Sequence, residues 1–161
     1  MFEFITETFS AFTASEPSQK PLAEYAKVID DVLKEFGLDE CRADLSDGFG
    51  WTLQRGSAVI FIGLSKNSVI EEETIKIFSP ILKLPKQNLL PFYRRCLELN
   101  DCLVGCALAV DDNGVLIVTE RPVLGLDKAE IIHMILNVGM ASDGLDNRLA
   151  EEFGAEMVGE E

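Results

Sequence analysis

The stretch that most limits what this chain can become is Cys102 to Arg121, CLVGCALAVDDNGVLIVTER. An apolar run meets Asp111-Asp112-Asn113-Gly114, and a second apolar run follows. Asn and Gly tolerate the positive φ that tight turns demand, so this is a β-hairpin. A helical pattern from Asn88 to Asn100 enters the hairpin, and a longer one from Asp127 to about Phe153 leaves it. In the first strand Val104, Cys106, Leu108 and Val110 fall on one face. Gly105, Ala107 and Ala109 line the other, where small side chains permit close packing.

The helices carry their own boundary signals. Leu22, Tyr25, Ile29, Val32, Leu33 and Phe36 trace one stripe, with Pro21 suited to a first turn and Gly37 to the position past the end. Leu89, Phe92, Tyr93, Cys96 and Leu97 form a second stripe, with Asn88 as its cap. Arg94 and Arg95 point about 100° apart on that helix and read as solvated surface rather than an anion site. In the last helix Asp127 caps, Glu130 stands three residues on, and Leu126 reaches toward Ile131, a capping box with a staple. Ile131, Ile135, Val138, Leu145 and Leu149 follow at helical steps. Gly139 and Gly144 each weaken that helix by about 1 kcal/mol relative to Ala, leaving open a break or kink near Asp143-Gly144.

Between the first two helices the pattern changes to strands. Asp44 to Gly50 is rich in turn residues, with brief pairing open to Cys41–Leu45. Trp51 and Leu53 alternate with polar neighbours, and Ala58 to Leu64 is apolar on both faces, as in a central strand or one whose second face meets a partner. Glu71-Glu72-Glu73 reads as a solvated tip, since three successive carboxylates cannot all turn inward on a metal. Thr74 to Leu84 resumes the sheet, Ile75 and Ile77 sharing a face before Phe78 and Pro80 shift the phase. Proline cannot donate to a ladder, so a bulge or an edge is expected there. The resulting fold class is α+β: an antiparallel sheet of about five strands with helices packed on it, in the order α-β-β-β-α-β-β-α. An N-terminal helical segment precedes it.

The chain of 161 residues divides into an aromatic segment and linker (1–20), a core (21–154) and an acidic tail (155–161) within a single domain. Phe2, Ile5, Phe9 and Phe12 recur on one helical face. That segment either folds back on the domain or grips a neighbour.

The 14 basic against 28 acidic residues give a net charge of -14. This argues against nucleic acid and anionic membranes and favours solubility, with basic partners as the functional counterpart. No apolar run reaches the roughly 20 residues of a membrane span. MFEFITETF lacks a basic n-region, so a cytoplasmic location is expected. Cys41, Cys96, Cys102 and Cys106 are then reduced thiols packed in or near the core. They lack zinc spacing, and no metal or cofactor is expected. His133, without a Ser or Cys constellation, reads as a surface or boundary residue and not as a catalytic base. There is no P-loop, GxSxG, GxGxxG or HExxH, and no enzyme is expected.

The helix ending CLELND, the hairpin ALAVDDNGVLIVTE and the long helix ending ASDGLDNRLAEEFG resemble the YbjN family, which shares its fold with type III secretion chaperones. Leu89 to Phe153 carries the resemblance. It implies a chaperone-like, homodimeric module that binds apolar segments of a partner protein without turnover. The candidate partner-binding residues are Phe2, Ile5, Phe9, Phe12, Ile75, Ile77 and Phe78, and the strand around Pro80 is the candidate edge for strand addition. The alternatives are a small enzyme without a recognisable motif, or a regulatory subunit docked permanently on one partner.

Overall fold

The computed structural model describes residues 21–38, 41–112 and 114–158. In chain order the elements are α1 (Leu22–Glu35), β1 (Arg42–Leu45), β2 (Gly48–Arg55), β3 (Ala58–Lys66) and β4 (Glu73–Leu82). They continue with α2 (Leu89–Asn100), β5 (Ala107–Asp111), β6 (Gly114–Pro122) and α3 (Lys128–Phe153). The strands form one antiparallel sheet in the order β1-β2-β3-β4-β6-β5. Six strands form where about five were expected. The sixth is β1, the brief pairing left open for Cys41–Leu45, folded onto β2 through Ser46-Asp47.

β3 and β4 lie in the middle of the sheet. The edge assignment for Thr74–Leu84 is therefore corrected: β4 pairs with β3 on one side and β6 on the other. Pro80 is accommodated by the other device open to it, a register shift between Pro80 and Leu82. The true edges are β1 and β5. The β5 edge is blunted at Leu108, whose N–H donates to Asn100 Oδ1 at 2.7 Å while Asn100 Nδ2 donates back to its carbonyl at 3.3 Å.

Period-two alternation sends one row from each strand into a single core. Leu53 of β2, Ile60, Ile62 and Leu64 of β3, Ile75 and Ile77 of β4, and Ile117 of β6 all belong to it. The three helices supply the other half. Tyr25, Ile29, Val32 and Leu33 come from α1, Phe92, Cys96 and Leu99 from α2, and Ile131, Ile135, Val138, Leu145 and Leu149 from α3. Phe92 meets Phe153 edge to face at 5.1 Å, locking α2 to the end of α3.

Helix ends follow the sequence signals with two adjustments. α1 closes in a Schellman turn, the Leu38 N–H donating to Leu33 O at 2.9 Å and the Gly37 N–H to Lys34 O at 3.0 Å. Its first residue is Leu22, so Pro21 stands at the N-cap, and Phe36 is exposed. Asn88 occupies the N-cap of α2 with φ 57° and makes no side-chain capping bond. Its contribution is tolerance of the left-handed region. α3 runs unbroken through Gly144.

The hairpin turns where expected, with Asp111 opposite Gly114 and the Gly114 N–H donating to Asp111 Oδ1 at 3.0 Å. Gly114 has φ 145°, and a Cβ there would stand 2.3 Å from Leu82 O, so no larger residue fits. The first strand is shorter than its apolar pattern: it starts at Ala107, and Val104 is exposed in the preceding turn.

Candidate functional site

The second row of side chains on each strand faces away from all three helices. Register aligns Thr52, Phe61, Phe78, Val118 and Ala107 across the sheet from β2 to β5. Beside them stand Val59, Pro80, Leu116 and Ala109. β3 reads as apolar on both faces because one row fills the core and the other lies here. Phe61 and Phe78 stack at 5.1 Å with ring planes 18° apart, and Lys76 Nζ lies 5.8 Å from the Phe78 ring. Toward Lys66 this face becomes polar: Glu120 Oε1 accepts from Asn67 Nδ2 at 2.8 Å and from Thr74 Oγ1 at 3.1 Å.

At the opposite, apolar end the face deepens into a groove of about 280 Å³. Phe61, Phe78, Pro80 and Leu116 form its floor, and Val158 stands at its rim. Leu116 is only 7% exposed yet lies outside the main core cluster, so this groove is a second, smaller apolar environment. The C-terminal segment enters here. The Lys83 N–H donates to Glu156 O at 2.9 Å, and the Val158 N–H donates to Ile81 O at 3.2 Å, with Leu82 opposite Met157.

A separate apolar surface lies on α2. The stripe expected as one buried face is split: Phe92, Cys96 and Leu99 point inward, while Leu90 (81% exposed), Tyr93 and Leu97 (70% exposed) point outward. Val104, in the turn that follows the helix, is 79% exposed.

Of the residues singled out from sequence, Phe2, Ile5, Phe9 and Phe12 lie outside the described residues. Ile75 and Ile77 are fully buried against the helices, so the surface they offer a partner is nil in this conformation. Phe78 is half-buried on the open face. Sequence reading missed Phe61, Leu116 and Val158. The first two were visible as the second row of strands apolar on both faces, while Met157-Val158 was hidden in a tail classed by its acidity.

Cys96, Cys102 and Cys106 are free thiols. Burial raises the pKa of Cys96 and of Cys106, keeping both protonated. Cys102 is exposed, which corrects its placement near the core: it follows the end of α2 instead of extending a strand. Among the described residues no group of His, Cys, Asp and Glu is placed to hold a metal ion. Among them, too, no helix is long and apolar enough to cross a membrane.

Residues 23–160 match the family model for TY-Chap1, described as the type III secretion (YopN, CesT) and YbjN peptide-binding chaperone 1. The chain belongs to this family. TY-Chap1 membership places it among peptide-binding chaperones and not among enzymes. The solved structures agree in fold. A chain of the ExsC–ExsE complex superposes with a TM-score of 0.63 at 11% identity, covering 81% of this chain and 97% of that one. A chain of the HopA1–SchA chaperone–effector complex gives 0.57 at 13% identity, covering 81% and 99%. A chain of the complex of the Yersinia pestis type III secretion chaperone SycH with a stable fragment of YscM2 gives 0.53 at 16%, covering 75% and 98%. Among curated proteins no sequence matches this chain.

Proposed function

We propose that this TY-Chap1 protein is a homodimeric, cytoplasmic chaperone that binds apolar, extended segments of a partner protein on the open face of its sheet. The observation that carries this reading is the Phe61–Phe78 stack beside the groove floored by Pro80 and Leu116, on the face opposite all three helices. Burying client side chains there contributes roughly 25 cal/mol per Å² before ordering costs. The net charge of -14 steers basic clients toward the protein and keeps a loaded complex soluble. The complexes in which related folds have been solved include a chaperone with its effector, which supports a protein partner here.

The same reading assigns the dimer to α2. Leu90, Tyr93 and Leu97 at helical spacing make an apolar stripe of the kind a second copy covers. The aromatic segment with Phe2, Ile5, Phe9 and Phe12 is the competing occupant of the open face in the absence of a client.

An array of extended peptides alternating apolar residues with Lys and Thr tests the client site. Wild-type protein binds apolar members and ignores scrambled polar ones, and Phe78→Asp abolishes binding without unfolding the domain. Folded wild-type protein that ignores every peptide, with or without residues 1 to 14, overturns the reading. Sedimentation equilibrium tests the dimer: wild type at twice 17.8 kDa and Leu97→Asp at 17.8 kDa. A wild-type monomer at micromolar concentration removes the dimer and leaves the client site standing.

A further inference from the structure

The C-terminal segment already sits as a bound peptide would. α3 ends at Gly154, in the left-handed region at φ 62°, and the Ala155 N–H donates to Ala150 O at 3.2 Å. That reversal sends Ala155–Val158 back along β4. The site it enters exists because of Pro80. The β3–β4 ladder ends at Phe61–Phe78. Proline has no N–H to continue it, so beyond Pro80 the β3 side of β4 is free to take another strand. Leu82 is paired with Val115 on its β6 side, and its other side carries the bridge to Met157.

Alternation along the tail then sorts its side chains. Met157 packs against the core cluster. Val158 reaches the rim of the Phe61–Phe78–Pro80–Leu116 groove. Glu156 lies between two lysines, 3.1 Å from Lys83 Nζ and 3.3 Å from Lys86 Nζ. The ion pairs of Glu156 are exposed, Val158 is half-exposed and Met157 is only half-buried, consistent with a segment that can leave.

We infer that Ala155–Val158 is an internal plug of a strand-addition site on β4, displaced by partner segments that read acidic–apolar–apolar in extended form. The backbone of Ile81 and Lys83 pairs with the incoming strand, and Lys83 and Lys86 hold its carboxylate. The first apolar residue takes the place of Met157 and the second that of Val158. This rests on the peptide-binding reading and refines it, giving one end of the client its sequence pattern and its competitor.

The test uses a labelled peptide with the chain's own tail sequence, residues 153–161, added to the full-length protein. In the wild type the tethered tail competes. In the variant Glu156→Lys, Val158→Asp the tail is repelled from the lysines and the groove, and the peptide binds at least about tenfold more tightly than to wild type. Glu156→Lys alone serves if the double variant does not fold. Changing Glu156 of the peptide to Lys weakens its binding to the variant by about tenfold or more. Hydrogen exchange supplies the second readout: saturating peptide accelerates exchange of the wild-type Val158 amide while the Lys83 amide stays protected. Equal affinity for wild type and variant, or no binding to a folded variant, overturns the inference. If the apolar array peptides still bind in that case, the tail is a fixed strap and the client site of the open face survives. If they too fail, the peptide-binding reading falls with it.

Discussion

Trp51 and Asp30 are joined by a hydrogen bond from the indole Nε1 to Oδ1 at 2.8 Å, and Arg42 Nη1 donates to the other oxygen of Asp30, also at 2.8 Å. One carboxylate on α1 thus ties down both β1 and β2 at the outer end of the sheet. Trp51 is almost completely buried, so its N–H depends on this partner. Asp30→Ala leaves that donor unsatisfied and costs about 2 kcal/mol. Chemical denaturation followed by the fluorescence of the single tryptophan measures it. An unchanged midpoint shows that the indole finds another acceptor.

Asp127 and Glu130 cap one another: the Glu130 N–H donates to Asp127 Oδ1 at 2.8 Å, and the Asp127 N–H to Glu130 Oε2 at 3.1 Å. The second oxygen of Glu130 holds Arg121, linking the helix start to the end of β6. Asp127→Ala is expected to cost about 1 kcal/mol, read as a lower denaturation midpoint at unchanged slope.

Gly144 lies in the middle of α3 with nothing near the place its Cβ would occupy. Gly144→Ala is therefore expected to stabilise by about 1 kcal/mol through helix propensity alone. A rise in Tm of several degrees checks it. A fall instead shows that the glycine serves a contact outside this monomer.

Docking of the tail is expected to depend on pH. Hydrogen bonds from Lys83 and Lys86 hold the Glu156 carboxyl below its ordinary range. A lowered folded-state pKa contributes stability above the ordinary glutamate value and loses it as pH falls through the folded value. The Val158 amide should thus be protected from exchange at neutral pH and lose protection in acid below the ordinary glutamate range. Salt should weaken it too, since these charges are exposed. Protection indifferent to both would assign the docking to Met157 and the backbone alone.

Much of this molecule is local physics and was legible residue by residue. The Asp127 capping box, the stop at Gly37, the turn between Asp111 and Gly114 and the central place of Ala58–Leu64 follow from short-range sterics, hydrogen bonding and alternation. The resemblance carried by Leu89–Phe153 pointed to the family that residues 23–160 match. Which apolar residue faces what is not local. Leu97 and Cys96 are neighbours on the same helix, yet Cys96 is buried and Leu97 exposed, because the angle at which α2 meets β5 and Phe153 decides which part of a broad stripe is covered. Pro80 signals a broken ladder, and the sequence leaves bulge and edge equally open. The placement of β6 against β4 makes it a bulge, and the reversal at Gly154 brings Val158 some eighty residues back to fill the gap. Sequence alone determined the elements, their ends and the acidity of the surface. Only the tertiary structure decided which face stays open and what lies upon it, because burial belongs to the packed whole and not to any one segment.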